Sequence, residues 1–193
     1  MANIGPLISH VRQFVPLSST EEAQLATFFE DRTLKKKELL LEADQPCTHT
    51  YFVKRGILHM YFLTEKGAEQ TVQVAIENWW LTDQLAYRRQ SPSPFFIRAV
   101  EKSEVLALTH AQQTEMFAAV PAIESYFRHI FEIAYGASLH RQKHFLGLSK
   151  EEIYHQFNDQ FPEFVQRVPQ YLVASLLGFT PEYLSEIRSK RRS

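Results

Sequence analysis

The sequence has very little cysteine: Cys47 is the one cysteine among 193 residues. A single thiol excludes an internal disulfide, and it excludes zinc or iron–sulfur sites that need several cysteines. No stretch approaches the roughly 18 consecutive apolar residues that span a bilayer, so no membrane segment is predicted. The amino terminus lacks the cationic and apolar segments of a signal peptide. We therefore expect a cytoplasmic protein.

Net charge is almost absent as well. The chain carries a formal charge of −1, so no overall field attracts it to nucleic acid or to a membrane. Any such attraction has to be local. Hydrophobic residues make up 45 % of the chain, which is enough for a packed core. The length allows one large domain or two small ones.

The motifs of common enzymes are also missing. The sequence contains no nucleophile elbow, no phosphate-cradling glycine loop and no HExxH zinc motif. His140 and His144 lie four residues apart, a spacing that suits a metal ion, but a third ligand is not evident. We expect neither a metal nor an enzymatic activity. Haem ligation through His49 or His59 stays open at this point.

A β-rich segment runs from residue 34 to residue 109. It is rich in β-branched and aromatic residues and is punctuated by turn sequences such as Arg55-Gly56 and Lys66-Gly67, at intervals of about ten residues. This spacing predicts short antiparallel strands in a sandwich or barrel. Between residues 79 and 93, "WWLTDQLAYRRQSPS" predicts one short helix and a proline-containing loop that interrupt the strands.

Helical patterns flank the β-rich segment. Ser19 and Glu22 have the spacing of a capping box, which predicts a short helix over residues 20–31, and Ser149 and Glu152 repeat that logic. A long helix is expected from Pro121 onward, because proline is favoured at a first helical position. Its apolar or small residues recur at seven-residue steps on two adjacent lines, namely Ile123, Ile130 and Ala137, and Phe127 and Ala134. Such a seam indicates either a second copy of the helix or the protein's own β unit as its partner.

The segment "RVPQYLVASLLGFTPEYLSEIRSKRRS" predicts two short helices that meet at Gly178. Glycine adopts the left-handed conformation easily, Thr180 is a good N-cap, and Leu184 and Ile187 have the spacing of inward positions. This pattern indicates a helix-turn-helix, whose second helix enters the major groove of DNA. An ordinary helical hairpin with a solvated basic tail is the alternative.

The candidate DNA contacts follow from this prediction. The expected base-facing residues are Thr180, Glu182, Tyr183 and Glu186. The expected phosphate contacts are Arg167 and Gln170 near the first helix, and Arg188, Lys190, Arg191 and Arg192 at the end of the second.

Three stretches, "YFVKRGILHMYF", "FFIRAVEKSEVLALT" and "ASLLGFTPEYLSEIRSK", resemble the Crp–Fnr superfamily of transcription regulators, and "GFTPEYLSEIR" is most similar to its short Bacteroidetes members. The resemblance implies an α+β fold: an antiparallel β-roll of the double-stranded β-helix or jelly-roll type with flanking helices, a long dimerisation helix and a carboxy-terminal helix-turn-helix. The implied domains are a cyclic-nucleotide-binding-like sensor over residues 1–119, the dimerisation helix over 120–147 and the DNA-binding domain over 148–193. The usual β wing is expected to be absent.

The effector site departs from the family pattern. Aligned on "FFIRAV", the Gly-Glu pair of cyclic-AMP-binding members falls on Thr82 and Asp83, and their phosphate-binding arginine falls on Ser93. A serine cannot replace a bidentate cation, so cyclic AMP is expected to bind weakly or not at all. Trp79 and Trp80 favour either stacking on a planar effector or packing within the roll and against the long helix.

Together these observations predict a homodimeric, sequence-specific DNA-binding transcription regulator. The expected partners are double-stranded DNA and a second copy of the chain, and the resemblance adds RNA polymerase and a small-molecule effector of unknown identity. The alternative is a cyclic-nucleotide-like ligand-binding or protein-interaction module without DNA binding. Acidic Glu182 and Glu186 on the presumed DNA-facing side keep that alternative open.

Overall fold

Two antiparallel sheets form the first part of the molecule in the computed structural model, which describes residues 2–190. The strands are β1 (Glu30–Leu34), β2 (Leu39–Leu41), β3 (His49–Arg55), β4 (Leu58–Leu63), β5 (Glu69–Ala75), β6 (Trp80–Leu81), β7 (Phe96–Ala99) and β8 (Ser103–Thr109). One sheet has the order β1-β8-β3-β6 and the other β2-β7-β4-β5. The predicted antiparallel β-roll is therefore confirmed.

The two sheets enclose an apolar core because alternate side chains of each strand point inward. Val53 of β3 lies opposite Val105 of β8 in one sheet, and Met60 of β4 lies opposite Ile97 of β7 in the other. All four side chains are buried in the same cluster. The chain passes from the first sheet to the second at Gly56, between β3 and β4.

Helices flank the roll at both ends of the chain. They are α1 (Gly5–Val11), α2 (Ser19–Leu25), α3 (Gln84–Arg89), α4 (His110–Ala119), α5 (Pro121–Gly147), α6 (Lys150–Gln160), α7 (Pro162–Arg167), α8 (Gln170–Leu176) and α9 (Pro181–Lys190). The predicted interrupting helix α3 and the predicted long helix α5 are confirmed. The capping box at Ser149 is also confirmed, since Glu152 donates its backbone N–H to Ser149 Oγ and accepts in return.

The prediction for the second helix was wrong by one residue at its start and by several at its end. The capping box consists of Ser18 and Glu21, which have the same spacing as Ser19 and Glu22. The helix ends at Leu25 rather than near residue 31, because β1 begins at Glu30 and pairs there with β8. Tertiary pairing therefore overrides the local helical pattern.

The first turns of α5 pack against the roll. Ile123, Tyr126 and Phe127 are buried in a cluster that also holds Phe52 of β3 and Trp80 of β6. The indole N–H of Trp80 donates a hydrogen bond of 2.8 Å to the Tyr126 hydroxyl. The amino-terminal half of α5 is therefore fixed to its own β-roll.

The helices α6 to α9 form a separate cluster that also contacts the roll. Between residues 148 and 190 the structure contains these helices and no strand. Helix α8 lies along β5: the Thr71 N–H donates to Ser175 Oγ at 2.9 Å, and Gln70 Nε2 donates to the Ser175 carbonyl at 2.6 Å. The Arg167 guanidinium pairs with Glu77 at 3.0 Å and also with Glu101. These polar contacts position the carboxy-terminal helices on the roll.

Candidate nucleic-acid interface and effector site

The corner between α8 and α9 is a Schellman turn. Gly178 has a φ of 72°, the left-handed region that glycine tolerates. The Phe179 N–H donates to the Ala174 carbonyl at 2.8 Å, and the Gly178 N–H donates to the Ser175 carbonyl at 3.1 Å. These two bonds satisfy carbonyls that the end of α8 leaves without helical partners. The predicted corner at Gly178 is confirmed.

Helix α9 begins and packs as predicted. The Tyr183 N–H donates to Thr180 Oγ1 at 3.2 Å, so Thr180 is the N-cap. Leu184 and Ile187 are buried against α6–α8, and Phe179 fills the corner between the two helices. Because these apolar residues hold one side of α9, its other side is directed away from the rest of the chain.

The outward side of α9 is polar. Its exposed residues recur at helical spacing and line one shallow surface, together with Gln170 and Pro181: Glu182, Ser185, Glu186 and Ser189. The sequence prediction included the two glutamates and missed the two serines. The i, i+3, i+4, i+7 spacing from Glu182 identifies them once the inward residues Leu184 and Ile187 are fixed.

The predicted base-facing and phosphate-facing residues take different positions. Tyr183 is half-buried, with its ring edge-to-face with Phe179 and the Lys150 ammonium 5.4 Å from its ring centre. Arg188 Nη1 donates to Gln170 Oε1 at 3.2 Å. The Lys190 ammonium lies 3.0 Å from Glu186 and 3.3 Å from Glu151, and its hydrogen bonds to these carboxylates raise its pKa.

Arg167 binds to the roll and does not lie with the candidate DNA-contacting residues of α9. Its bonds to Glu77 and Glu101 raise its pKa above the ordinary value, and they tie the end of α7 to the roll. In this arrangement Arg167 positions the helical unit and does not extend toward the α9 surface. The predicted contacts Arg191 and Arg192 lie outside the described residues.

The predicted effector residues all have hydrogen-bond partners within the protein. Ser93 Oγ donates to Asp83 Oδ2 at 2.9 Å, and the other Asp83 oxygen accepts from the N–H groups of Leu85 and Ala86 at the start of α3. Thr82 is buried and donates to the His49 carbonyl at 2.8 Å. Asp83 is thus the N-cap of α3. Of the three positions that the family alignment gives to a cyclic nucleotide, Asp83 and Ser93 bond to each other and Thr82 bonds to the backbone of β3.

Arg98, another arginine on the roll, also forms an ion pair within the protein. Arg98 of β7 forms a two-pronged pair with Glu69, with Nη1 2.7 Å from Oε1, and its guanidinium lies over the Tyr61 ring. It therefore already has a carboxylate partner. Arg88 and Arg89, at the end of α3, are exposed to solvent.

The residues of the predicted dimer seam fall into two groups, one buried in the chain's own roll and one exposed on α5. Ile123 and Phe127 are 0 % and 3 % exposed within a single chain, because they pack in the core of their own roll. They are therefore not accessible to a partner helix. Ile130 is half-buried against the same cluster. Ala134 and Ala137 are exposed and line a cavity between the roll and the carboxy-terminal helices.

The opposite side of α5 carries apolar residues that the sequence prediction did not single out. Phe131, Tyr135, Leu139 and Leu146 are 42 %, 67 %, 47 % and 82 % exposed. Their spacing of four, four and seven residues places them along one line of the helix, which we call the outer stripe. Gln142 interrupts this line between Leu139 and Leu146, and the exposed apolar side chains along it are of the kind that marks an interaction surface.

The remaining candidate residues are held by local contacts. Cys47 is buried, and this burial raises the pKa of its thiol above the ordinary value. His59 of β4 is buried with Nε2 2.9 Å from Thr71 Oγ1, and burial lowers its pKa to about 3. His140 and His144 line the cavity beside α5. Within residues 2–190, no three side chains of the metal-binding types lie close enough to share an ion.

Trp79 and Trp80 both pack against helices. Trp80 contacts α5, with its ring centre 4.8 Å from that of Phe127, and Trp79 stacks on Phe164 of α7 at 5.5 Å. The packing alternative from the sequence, the core of the roll or its contact with the long helix, therefore describes Trp80, whereas Trp79 packs on α7 and is 38 % exposed. Each of them also contributes one wall of the cavity beside α5.

A comparison with known proteins finds one family model that is similar to the roll. Residues 31–119 match the family model of the cyclic nucleotide-binding domain. The match covers all strands from β2 to β8 together with α3 and α4. The β-roll of this chain is therefore similar to domains of this type.

Solved structures share the fold over nearly the whole chain. A mutant of CooA from Carboxydothermus hydrogenoformans has a TM-score of 0.71 at 16 % identity, over 95 % of this chain and 83 % of its own. The c-di-GMP-responsive global regulator CLP from Xanthomonas campestris gives 0.66 at 10 %, over 91 % and 92 %. The catabolite activator protein of Thermus thermophilus gives 0.59 at 14 %, over 94 % and 85 %. At these identities the similarity establishes the fold.

No curated protein sequence matches this chain. Among residues 2–190, no helix is both long and apolar enough to cross a membrane.

Proposed function

We propose that this protein is a homodimeric, sequence-specific DNA-binding transcription regulator, with α8 and α9 as its helix-turn-helix. The observation that carries the proposal is the α8–α9 corner: a Schellman turn at Gly178 holds α9 by Leu184 and Ile187 and leaves its polar side outward. In DNA-binding proteins of this type, the second helix inserts its outward side into the major groove. The similarity in fold to a catabolite activator protein and to a global regulator of virulence gene expression supports the same conclusion.

The proposal assigns a role to each part of the chain. Residues 1–119 are the sensor domain, 120–147 the dimerisation helix and 148–193 the DNA-binding domain. The chain carries out no catalytic step, and its place of action is the cytoplasm. Contact with RNA polymerase and a place among the short Bacteroidetes members of the Crp–Fnr superfamily remain expectations from the resemblance.

Within α9, the proposed base-facing residues are Glu182, Ser185 and Glu186. A glutamate accepts a hydrogen bond from a cytosine amine, and serine bonds to several base edges. Arg188 and Lys190 lie at the end of the helix, where phosphates flank the groove, and Lys150 lies beside Tyr183. Their present partners, Gln170, Glu151 and Glu186, are surface groups that a phosphate can replace.

The proposed dimer joins two copies of α5 through the outer stripe of Phe131, Tyr135, Leu139 and Leu146. Four apolar side chains exposed along one helix gain free energy when a partner helix covers them. A twofold axis along α5 places two copies of α9 on one side of the dimer. Two recognition helices related in this way bind half-sites about 34 Å apart, one turn of DNA, in a near-palindrome.

Removal of two cations from α9 tests DNA binding. We expect the double variant Arg188→Ala/Lys190→Ala to bind random-sequence duplex DNA at least about tenfold more weakly at low salt, because each lost phosphate contact reduces counterion release. The slope of log K against log salt should fall by about 0.9 for each lost contact. Fluorescence anisotropy over a range of salt concentrations measures both quantities.

The matched control is Lys36→Ala/Lys66→Ala, which removes two exposed cations from turns of the roll. This control should leave both affinity and slope unchanged. If the wild type shows no salt-dependent binding to DNA, the protein is instead a ligand-binding or protein-interaction module. The acidic outer side of α9 favours that second candidate, since Glu182 and Glu186 repel phosphate.

Cyclic AMP is expected to bind weakly or not at all. Ser93, at the position that the family alignment gives to the phosphate-binding arginine, donates a hydrogen bond to Asp83 Oδ2, and Asp83 also caps α3. A cyclic nucleotide would have to break these bonds and leave its phosphate without a cation. Calorimetric titration with cyclic AMP should give no saturable heat at ligand concentrations up to the millimolar range, whereas a micromolar dissociation constant would contradict this expectation.

Two modes of regulation agree with this site. In the first, an effector bound to the roll changes the position of α5 and thereby re-orients the two copies of α9. In the second, the dimer is competent for DNA at all times. A comparison of operator affinity before and after small molecules are removed from the protein distinguishes the two, because only the first predicts a change.

A further inference from the structure

A cavity of about 530 Å³ lies between the roll, α5 and the carboxy-terminal helices. This is within the range of roughly 300–1,000 Å³ that is usual for small-molecule sites. Its walls come from α1, from β5 and β6, from the inner side of α5 and from α6 to α8. None of its lining residues falls between positions 81 and 98, so it is distinct from the group formed by Thr82, Asp83 and Ser93.

The walls of the cavity are mainly apolar and aromatic. Trp79 and Trp80 contribute from the roll, Ile130 and Phe145 from α5, and Phe161 from the loop between α6 and α7. The polar residues among the walls are arginine, histidine, glutamine, asparagine and serine, and no aspartate or glutamate occurs among the described residues that line it. The cavity is therefore suited to an apolar body that carries a negative or neutral polar group.

Arg141 is the one arginine or lysine among the described residues of this lining, which also contains His10, His140 and His144. It is half-buried on the inner side of α5, and Nη1 donates to the Val72 carbonyl at 3.1 Å. Among residues 2–190, no carboxylate lies within ion-pair distance of its guanidinium. The guanidinium has five N–H donors, so donors remain for a carboxylate on the cavity side.

Most other half-buried arginines among residues 2–190 have an acidic partner. Arg32, Arg98 and Arg167 each form an ion pair with at least one glutamate, whereas Arg188 donates to the neutral amide of Gln170. A buried cation without an anion is unfavourable, and burial lowers the pKa of Arg141 below its ordinary value. Arg141 is thus a desolvated positive charge that faces a roomy, acid-free and aromatic cavity.

We propose that this cavity binds an amphipathic monocarboxylic acid, with its apolar body against the aromatic walls and its carboxylate on Arg141. The site is compatible with the proposed dimer, because Ala134, Ala137 and Arg141 lie on the inner side of α5 and the outer stripe lies on the opposite side. The proposal concerns ligand binding alone. A result against DNA binding would therefore leave the proposed binding of a carboxylic acid unaffected.

The two tryptophans provide a direct measurement. They are the only tryptophans in the chain, and both line the cavity, so intrinsic fluorescence reports on its occupation. Titration of the full chain with decanoate, below its micellar concentration, should give a saturable change in tryptophan fluorescence. Decanamide has the same apolar body without the charge, and it should bind at least about tenfold more weakly, since charged hydrogen bonds are the stronger ones.

The variant Arg141→Gln should weaken decanoate binding at least about tenfold and leave decanamide binding nearly unchanged. Arg141→Lys keeps the charge and should restore part of the affinity. The matched control is Lys143→Gln, which removes an exposed cation from the same helix outside the cavity and should bind decanoate as the wild type does. Circular dichroism checks that each variant is folded.

Several results would overturn the proposal. The absence of saturable fluorescence and calorimetric change with decanoate would exclude the site. Equal affinity for decanoate and decanamide, or full affinity in Arg141→Gln, would show that the guanidinium does not bind the carboxylate. Displacement of decanoate by micromolar cyclic AMP would assign the cavity to a nucleotide instead.

Discussion

Replacement of Leu139 by glutamate is expected to convert the proposed dimer into a monomer. Leu139 lies in the middle of the outer stripe and is 47 % exposed in the single chain. In the proposed dimer, two copies of this residue lie close to the twofold axis and are covered by the partner helix. The substitution removes apolar contact from both copies and places two carboxylates where water is excluded.

The expected effect is an increase of at least about 100-fold in the dimer dissociation constant, since an unpaired charge buried at an interface costs several kcal/mol. Sedimentation equilibrium over a range of protein concentrations measures it. Leu85→Glu is the matched control, because Leu85 of α3 is a comparably exposed leucine away from α5. A wild type that stays monomeric at high micromolar concentration would contradict the dimer, and a Leu139→Glu dimer would place the interface elsewhere.

The second large effect is expected at Gly56, where the chain crosses from one sheet to the other. Its φ of 97° is unfavourable for any residue with a Cβ atom. A Cβ atom here would lie 2.3 Å from Ser103 Oγ and 2.8 Å from Ser103 Cα. The backbone of β8 cannot move away easily, because β8 pairs with β1 on one side and β3 on the other.

Gly56→Ala should therefore lower the free energy of unfolding by about 2–5 kcal/mol, from the left-handed conformation and the steric overlap together. Gly67→Ala is the matched control: Gly67 has a φ of 75°, but a Cβ atom there meets nothing within 4 Å. The control should lose only about 1–2 kcal/mol, the conformational part. Urea denaturation followed by circular dichroism measures both values, and equal losses would show that the contact with Ser103 relaxes.

Local patterns in the sequence were sufficient for much of the fold. Turn residues at Gly56 and Gly67 located the ends of strands, and the corner at Gly178 followed from one glycine between two apolar helices. These features depend on backbone preferences of single residues, which the sequence states directly. The predicted start of α2 was wrong by one residue because Ser18 and Glu21 have the same spacing as Ser19 and Glu22. Packing in the folded chain selects the first pair.

The repeat pattern of α5 did not predict which of its sides is buried against the roll. Both sides of the helix carry apolar residues, with Ile123 and Phe127 on one and Tyr135 and Leu139 on the other. A repeat pattern shows that a helix has apolar sides, but it does not tell which side the chain's own β unit will cover. The hydrogen-bond partners of Arg167 and Arg141 could not be predicted from the sequence either, because these partners are far away along the chain.

One carboxylate oxygen connects two distant parts of the chain. Glu77 Oε1 accepts from the Gly56 N–H at 2.8 Å and from Arg167 Nη2 at 3.0 Å. Burial alone raises the pKa of Glu77, and these hydrogen bonds outweigh that effect and keep it below its ordinary value. The crossing between the sheets and the last turn of α7 are therefore joined through one carboxylate. Loss of that carboxylate would deprive the Gly56 N–H and the Arg167 guanidinium of a shared acceptor in a single step.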